Sequence, residues 1–343
     1  MMNQNIKIIG FGSYIPIYRI KKEEYIKVWG YFSGKIDEKS VIGYDEDIIT
    51  MAVEAGFNAL KNSSINKNEI TLIAVASTSS PYTVKSIASE VAMALGISLN
   101  ILLLDFKESE KASTTALLAA LDILKSKGGY GLIIGSDTPL SAPGDSIEHV
   151  QSAAAGAIII GSAESGIAEI NGYKSANIEF ISDRFKKEGS NKMKDLEIAS
   201  YSNYAYNNSI KKATNILLNE LKLKLTDYKH FFIQGHDIRQ PTRVFKQINK
   251  EKIYVNTLKK VGDSGVATPL LGLIALFHYK AKKGDKILLI SYGSSAGSDA
   301  ISIDMIKKQE KVLNIPTIDQ YLNRKEYISY EKYLKFKDLI DLD

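Results

Sequence analysis

Residues 101–137 read ILLLDFKESEKASTTALLAALDILKSKGGYGLIIGSD, and this stretch decides the fold class. The apolar runs at 101–106 and 130–137 are short and bounded by polar or Gly residues, which predicts buried strands. Between them, segment 113–127 has the length and apolar periodicity of a crossover helix. The stretch therefore predicts one strand-helix-strand unit of an α/β protein.

The same alternation continues on both sides of this stretch. Buried strands are predicted at 6–12 and 71–78, and amphipathic helices at about 46–62 and 84–95. Strands at 155–162 and 166–173 are predicted to pair antiparallel through the turn-prone Glu-Ser-Gly at 164–166. The first half is thus a series of βα units closed by a hairpin.

The second half repeats this plan. The pattern predicts helices near 203–224, 239–248 and 265–282, a strand at 230–235, and a final strand pair at 285–293 and 298–306. Two halves of similar order indicate an internal duplication, with residues 1–167 and 168–310 as the two units. Residues 311–343 form a charged, Tyr-rich segment, interpreted as a surface tail or a docking segment. A solvated terminal helix is the favoured form.

Composition narrows the function classes. The 343 residues carry a formal net charge of +5 without a basic block, so nucleic-acid binding is not expected. The apolar part of the N-terminus is too short for a membrane span, and a cytoplasmic location is expected. The four His residues, at positions 149, 230, 236 and 278, show no ligand spacing, and no metal is expected. The chain contains no cysteine, which excludes disulfides and thiolate chemistry.

Several strings, taken in order, resemble one family. They are GFGSYIPIYRI (10–20), DEDIITMAVEA (45–55), SSPYTVKSIAS (79–89), APGDSIEHVQSAAAGAIIIG (142–161), GDSGVATPLLGL (262–273) and ISYGSSAGSDA (290–300). They resemble the hydroxymethylglutaryl-CoA synthase and ketoacyl synthase III branch of the thiolase superfamily. The resemblance implies a duplicated thiolase fold with αβαβα layers, and usually a dimer formed through a strand of the first half.

Within this branch the chain is most similar to the short synthase-like subunits that archaea and some bacteria pair with a separate thiolase and a small OB-fold protein. One of these is the non-catalytic synthase-like subunit of the monoacetylphloroglucinol acetyltransferase complex. The resemblance therefore implies a homodimer, or a hetero-oligomer with a thiolase and an OB-fold zinc-ribbon-type protein. It also implies a coenzyme A thioester as ligand, with no covalently bound cofactor.

The family's nucleophile is a cysteine at the N-terminus of a buried helix. The matching string here, ESEKAST (108–114), places Glu110 at that position. A carboxylate there is expected to have a low pKa and to cap the helix, because the helix dipole favours negative charge. A carboxylate is also a poor nucleophile toward a thioester.

Three further catalytic positions are changed in the resemblance. Gln234 stands at the His position and cannot exchange a proton near neutral pH. Asp263 stands at the Asn position and would repel an oxyanion, and Thr78 stands at the position of the general base Glu. His236 is interpreted as a surface or loop-end residue. If the family geometry holds, Glu110 and Asp263 lie close together, which requires a proton or a basic side chain between them.

The segment SDRFKKEGS (182–190) matches a stretch that lies near the CoA tunnel in related synthases. It makes Arg184, Lys186 and Lys187 candidate CoA contacts, although a solvated loop is the favoured interpretation. Two functions remain open. The first is a catalytically silent subunit of an acyltransferase or condensing complex. The second is a stand-alone acyl-CoA-processing enzyme that uses Glu110 in an unusual role. A working hydroxymethylglutaryl-CoA synthase would need a cysteine that this chain lacks.

Overall fold

The computed structural model describes residues 5–63, 65–178, 181–307 and 314–340. The first half has strands at Lys7–Tyr14 (β1), Tyr18–Lys21 (β2), Glu38–Val41 (β3), Ile70–Ala76 (β4), Leu102–Phe106 (β5), Tyr130–Asp137 (β6) and Ala154–Gly161 (β7). Its helices lie at Lys22–Trp29 (α1), Ile48–Asn62 (α2), Ile87–Ala94 (α3) and Ala112–Lys127 (α4).

The second half has strands at Ala168–Ala176 (β8), Arg184–Phe185 (β9), Lys194–Asp195 (β10), His230–Ile233 (β11), Lys286–Gly293 (β12) and Gly297–Met305 (β13). Its helices lie at Ala199–Leu221 (α5), Pro241–Val244 (α6), Asn256–Lys260 (α7) and Thr268–Tyr279 (α8). The chain continues with Ile318–Asn323 (α9), Glu326–Tyr327 (β14) and Tyr330–Phe336 (α10).

One large sheet organises the fold. Within the described ranges it has nine strands, in the order β11-β12-β13-β8-β1-β7-β6-β4-β5. Helices α4 and α8 pack in one apolar core against both halves of this sheet. Helices α2 and α3 cover the opposite face of the first half, and α5 covers that of the second. The five layers confirm the predicted duplicated thiolase fold with αβαβα layers.

The two halves share a strand plan. In the first, β4 lies between β6 and the outer strand β5, in parallel with both. In the second, β11 is parallel to β12, and on its other side Phe231 forms a single parallel bridge to Ile253. Ile253 therefore occupies the place of β5, as a duplication predicts. Strand β8 begins at Ala168, and the division of the chain between residues 167 and 168 stays a prediction.

The predicted pairing of 155–162 with 166–173 was wrong. β1 lies between these two strands, pairing along its length with β7 and at Lys7 and Ile8 with β8. The connecting segment passes around the end of β1, where Lys7 Nζ donates to the carbonyl oxygens of Ala163 and Glu164. A strand from the beginning of the chain can lie between two strands that are adjacent in sequence. Turn residues between those two strands cannot predict this insertion.

Glycines allow the helices to approach the sheet closely. A Cβ at Gly12 would lie 2.3 Å from the carbonyl oxygen of Ala55 in α2. A Cβ at Gly272 in α8 would lie 2.1 Å from the Phe232 ring on β11. Both distances are too short for a side chain, so only glycine permits this layer spacing.

Several helices differ from their predicted lengths. The helix predicted at 239–248 reduces to Pro241–Val244, because Phe245 takes an extended conformation with φ −115° and ψ 97°. The helix predicted at 265–282 begins with a 3₁₀ turn at Gly265–Ala267, which is followed by α8. The small sheet β14-β2-β3 was not predicted. In the described ranges, no helix is long and apolar enough to span a membrane.

The described part of the C-terminal segment, residues 314–340, packs on the first half through its buried side chains, while its other face is exposed. β14 pairs in parallel with β2, and α10 packs on α1. Tyr330 and Tyr333 are buried against Tyr25, and Lys39 lies over the ring of Tyr333 at 4.5 Å. The favoured interpretation as a solvated helix was therefore wrong, because its aromatic residues complete an apolar cluster on the first half.

Candidate functional site

Glu110 lies in the turn before α4, at the carboxyl ends of the central strands. Its side chain is buried, and its Oε2 accepts a hydrogen bond from the backbone N–H of Ser294 at 3.2 Å. The N-cap of α4 is Lys111, which makes no side-chain cap. The prediction that Glu110 caps the helix was therefore wrong: its carboxylate bonds to the β12-β13 turn.

Burial raises the pKa of the Glu110 carboxyl above its ordinary value. Asp263 adds to this increase, whereas Arg184, His236 and the backbone N–H of Glu110 oppose it. The expected low pKa was wrong because loss of hydration outweighs the favourable charges. Glu110 thus has an increased tendency to hold a proton.

Gln234, at the end of β11, is a structural connector. Its Nε2 donates to the carbonyl oxygens of Glu110 at 2.9 Å and Gly265 at 3.2 Å. Its Oε1 accepts from the backbone N–H of Tyr292 at 3.2 Å. The whole amide therefore joins the turn before α4, the turn before α8 and strand β12.

Asp263 and His236 form a close pair beside Glu110. His236 Nδ1 lies 2.5 Å from Asp263 Oδ2, so the contact assigns the ring proton to Nδ1. Asp263 Oδ1 accepts from the backbone N–H of Gly265 at 3.1 Å. Burial alone would raise the pKa of Asp263, but His236, Arg184 and these hydrogen bonds hold it below its ordinary value.

His236 was predicted to be a surface or loop-end residue. It lies in the turn after β11, at a loop end, but it is half-buried and not on the surface. Strand β11 ends at Ile233, and the chain then turns so that the imidazole points back toward Asp263. The backbone N–H of His236 donates to Gln240 Oε1 at 3.0 Å, which holds the turn. Only the tertiary contact with the loop at 262–265 brings this histidine into the site.

Arg184 completes the ionic cluster. Its Nε donates to Asp195 Oδ2 at 2.7 Å across the short β9-β10 pair, and its guanidinium contacts the imidazole of His236. Arg184 and His236 both lower the pKa of each carboxyl, and the pKa of Glu110 is nevertheless raised. The two predicted alternatives, a proton on one carboxyl or a basic side chain between Glu110 and Asp263, therefore both stay open. The interpretation of 182–190 as a solvated loop was therefore wrong at Arg184. Lys186 and Lys187 are exposed.

Thr78, which was predicted to stand at the general-base position, is hydrogen-bonded to a residue that sequence reasoning missed. Its Oγ1 donates to Asp137 Oδ2 at 2.7 Å, and this carboxylate also accepts from the backbone N–H of Val266 at 3.2 Å. Asp137 is fully buried at the end of β6. The sequence did contain a signal for Asp137, because it is a charged residue at the end of an otherwise apolar strand.

A buried ion pair fixes the start of α4. Lys111 Nζ lies 3.0 Å from Asp299 Oδ1 on β13, and Thr114 Oγ1 donates to the other carboxylate oxygen at 2.6 Å. Lys111 thus points away from Glu110 and joins the two halves. Asp299 was part of a quoted family string, but its partner was not predictable from spacing.

Two cavities meet at Arg184. One of about 320 Å³ is lined by Glu110, Thr78 and Arg184, and one of about 400 Å³ lies on the other side, beside His236. Because Arg184 borders both, it separates the Glu110 side from the His236 side. The arrangement offers a protonatable acid and an Asp-His pair, but no thiol nucleophile.

Curated relatives span nearly the whole chain, whereas no protein-family model matches it. The hydroxymethylglutaryl-CoA synthase of Thermococcus gammatolerans is 34% identical over 348 residues, covering 97% of this chain and 96% of the relative. That of Methanopyrus kandleri is 34% identical over 358 residues, covering 98% of each chain.

Solved structures show the same fold. A structure of HMG-CoA synthase complexed with CoA has a TM-score of 0.84 at 22% identity, covering 99% of this chain and 92% of that chain. The 3-oxoacyl-[acyl-carrier-protein] synthase III of Aquifex aeolicus has a TM-score of 0.80 at 20% identity, covering 87% and 99%. From the identity shared with its curated relatives over almost the full length, this chain belongs to the hydroxymethylglutaryl-CoA synthase family of condensing enzymes.

Proposed function

We propose that this chain is a catalytically silent synthase-like subunit that acts with a thiolase bearing the reactive cysteine. The observation that carries the proposal is the buried Glu110 at the nucleophile position of a chain without any cysteine. A carboxylate attacking a thioester would form a reactive mixed anhydride. The hydrogen bond from the Ser294 backbone instead gives Glu110 a packing role.

The other changed positions support the same proposal. Condensation needs a proton acceptor and an oxyanion donor in addition to the nucleophile. The amide of Gln234 hydrogen-bonds to three backbone groups. The carboxylate of Asp263 hydrogen-bonds to His236 and to the backbone N–H of Gly265. Thr78 is held by Asp137. Each group therefore stabilises the frame, and none is free to act on a substrate.

The complex that we propose also contains an OB-fold zinc-ribbon-type protein, and the chain forms a homodimer or a hetero-oligomer within it. Strand β5 supports this, because it is the outer strand of the sheet and has an open edge in the described ranges. Apolar side chains are exposed beside it: Leu102 on β5 and Met93 on the adjacent α3, with 63% of Met93 accessible. A strand from a second subunit would pair with this edge.

A second candidate function rests on the properties of Glu110. Its raised pKa, and its position on a cavity of about 320 Å³ beside Arg184, are compatible with proton donation to a bound acyl group. In this alternative the chain is a stand-alone acyl-CoA-processing enzyme. Arg184 would face the acyl group, whereas Lys186 and Lys187 would contact the CoA moiety.

The two candidates are tested with one set of preparations. The chain is purified alone and after co-expression with the thiolase and OB-fold proteins found with it by pull-down from its native host. Radiolabelled acetyl-CoA is then used to trap acyl-enzyme and to measure condensation. The silent-subunit proposal expects label and turnover only in the complex, with label on the thiolase. Turnover by the chain alone that is lost in Glu110→Gln would favour the stand-alone enzyme.

A further inference from the structure

A loop between β6 and β7 connects the C-terminal segment to the candidate site. At one end of this bridging loop, residues 144–152, the carboxylate of Glu148 is fully buried. The hydroxyl of Tyr330 on α10 donates to this carboxylate and lies 3.0 Å from Oε1 and 3.2 Å from Oε2. The backbone N–H of Gly144 donates to the same Oε2 at 2.8 Å. The docked segment therefore fixes the bridging loop through a carboxylate that is shielded from solvent.

The other end of the bridging loop holds the backbone of Asp263. The Asp263 N–H donates to the Val150 carbonyl at 2.8 Å, and the Ser152 N–H donates to the Asp263 carbonyl at 2.8 Å. Val150 follows Glu148 after a single intervening residue. A displacement of the loop at Glu148 therefore reaches the main chain of Asp263, whose carboxylate contacts His236.

A second route leads from Tyr330 to the loop after β11. The ring of Tyr330 packs on Tyr25 with 5.0 Å between the centroids, and Tyr25 packs on His149 at 4.8 Å. His149 Nδ1 accepts from the backbone N–H of Ser33 at 3.0 Å, and the Ser33 carbonyl accepts from Arg239 Nη2 at 3.0 Å. Both routes thus end at the two loops that form the candidate site.

The surface under the C-terminal segment contains polar groups that lose hydration when the segment docks. Arg19 is buried on β2, which pairs with β14, and its Nε has no hydrogen-bond partner within the described ranges; the same holds for Nε2 of His149. Burial also raises the pKa of the Glu148 carboxyl and lowers the pKa of Lys39. Lifting the segment returns water to these four groups, so its local opening costs less free energy than global unfolding.

We propose that residues 325–340 form a strap that positions the Asp263–His236 pair and sets the width of the cavity beside it. This cavity of about 400 Å³ is lined in part by three residues of the bridging loop, Ser146, Ile147 and Val150. When the strap lifts, the bridging loop loses its anchor at Glu148, the pair loosens and the cavity widens. The strap acts on the geometry of the site, so it goes beyond the proposed silence of the chain and does not depend on it.

The first test is hydrogen exchange of the full chain, followed by mass spectrometry. Tyr330→Phe removes the hydroxyl donor and keeps the ring, so amides at 330–340 should exchange at least tenfold faster than in the wild type. Amides at 144–152 and 262–266 should also exchange faster in this variant, whereas those of β12 should not change. The matched control is Tyr44→Phe, the same substitution at a position that is 83% exposed, and it should exchange like the wild type.

The second test observes the site itself through the NMR signals of the histidine rings. The chain has four histidines, so a sample with 13C-labelled histidine gives one Cε1–H signal for each, and His236→Gln assigns the signal of His236. Tyr330→Phe should shift the His236 signal. It should leave unchanged the signal of His230, which is paired with Asp285 at the other end of β11. Tyr44→Phe should move neither signal.

A milder variant keeps the test decisive if Tyr330→Phe does not fold. Tyr327→Phe removes a hydrogen bond of 2.7 Å from the strap to Glu38 Oε2, at a position that is 45% exposed. It should change the exchange rates and the histidine signal in the same direction, by smaller amounts.

Faster exchange at 330–340 together with 144–152, and a shifted His236 signal, would support the strap. The proposal is overturned if amides at 330–340 keep the wild-type exchange rate, or if they exchange faster while 144–152 and 262–266 do not. An unshifted His236 signal also overturns it, as does the same shift in Tyr44→Phe. Neither measurement uses acetyl-CoA, so a failure here leaves the silent-subunit proposal unaffected.

Discussion

At position 110 the protein carries a buried carboxylate that bonds to the backbone of a neighbouring turn. The side chains around it also form hydrogen bonds that join neighbouring loops. The Gln234 amide bonds to three backbone groups of the described residues, and the two carboxylate oxygens of Asp263 contact His236 and Gly265. The positions expected to carry chemistry thus carry hydrogen bonds between loops, which has consequences for single substitutions.

Glu110→Cys should not produce synthase turnover. The new thiol would lack a proton acceptor at Gln234, and Asp263 would still oppose an oxyanion. Release of free CoA from acetyl-CoA should stay at the wild-type level. Rapid condensation by this single variant would show a functional active site and would contradict the silent-subunit proposal.

Because the chain has no other cysteine, the same variant reports access to the site. Labelling of Cys at position 110 by a maleimide should be at least tenfold slower than labelling of the exposed control Lys283→Cys, since Glu110 is buried behind Arg184. Adding Arg184→Ala should increase the labelling rate. Equal rates in the control and the single Glu110→Cys variant would show that the site is open.

Gln234→Ala should destabilise the fold strongly. It leaves the buried carbonyls of Glu110 and Gly265 and the N–H of Tyr292 without this partner, so we expect a loss of about 2 to 4 kcal/mol in the free energy of unfolding. Urea denaturation followed by circular dichroism measures the loss. The exposed control Gln247→Ala should change stability by less than about 0.5 kcal/mol.

Among the elements, α10 shows how a charged, Tyr-rich segment can be part of a core. Lys39 donates to the Glu148 carbonyl oxygen, and Tyr330 donates to the Glu148 carboxylate at 3.0 Å. Tyr333 stacks with Tyr330 in the same cluster. The amphiphilic tyrosines and the lysine stems explain why this segment looks solvated by composition.

The docked segment should make stability increase with pH in a defined window. Burial lowers the pKa of both Lys39 and Lys337, the latter to about 8 from an ordinary 10.5. Above pH 8 the unfolded chain binds more protons than the folded one, so raising the pH favours folding. Between pH 8 and 9.5 we expect a gain of about 1 kcal/mol.

The measurement is urea denaturation at several pH values between 8 and 9.5. In the variant Lys39→Met/Lys337→Met the gain should disappear, whereas the exposed pair Lys229→Met/Lys283→Met should keep it. Above pH 10 the buried tyrosines oppose the trend, because their pKa values are raised. A flat wild-type profile would mean that the lysines keep ordinary pKa values in the folded state.

At the scale of the whole molecule, the open edge of β5 is the expected place of assembly. Leu102→Glu should weaken self-association or association with the partner at least tenfold, because it places a charge among the exposed apolar side chains at the start of the β5 edge. Sedimentation velocity measures the mass. Tyr204→Glu, at an exposed position on α5, is the control. Dimers unaffected by Leu102→Glu would place the interface elsewhere.

Sequence alone determined the α/β class and the position of most central strands and helices, and it predicted the changed catalytic positions. These features depend on local periodicity and on residue identity along the chain. The absence of cysteine needs no structure at all. The strands at 71–78, 101–106 and 130–137 were predicted at the correct places because a parallel strand of a covered sheet is an apolar run, but 101–106 is the partly exposed edge strand β5 and not a buried strand.

Tertiary structure decided the rest. The pKa of Glu110 rose because burial outweighed the opposing charges of Arg184 and His236, and His236 entered the site because a distant loop brought Asp263 to it. β1 separated β7 from β8, and residues 314–340 found an apolar partner surface on the first half. Each of these outcomes depends on contacts between residues far apart in the chain, and on the exclusion of water that those contacts produce.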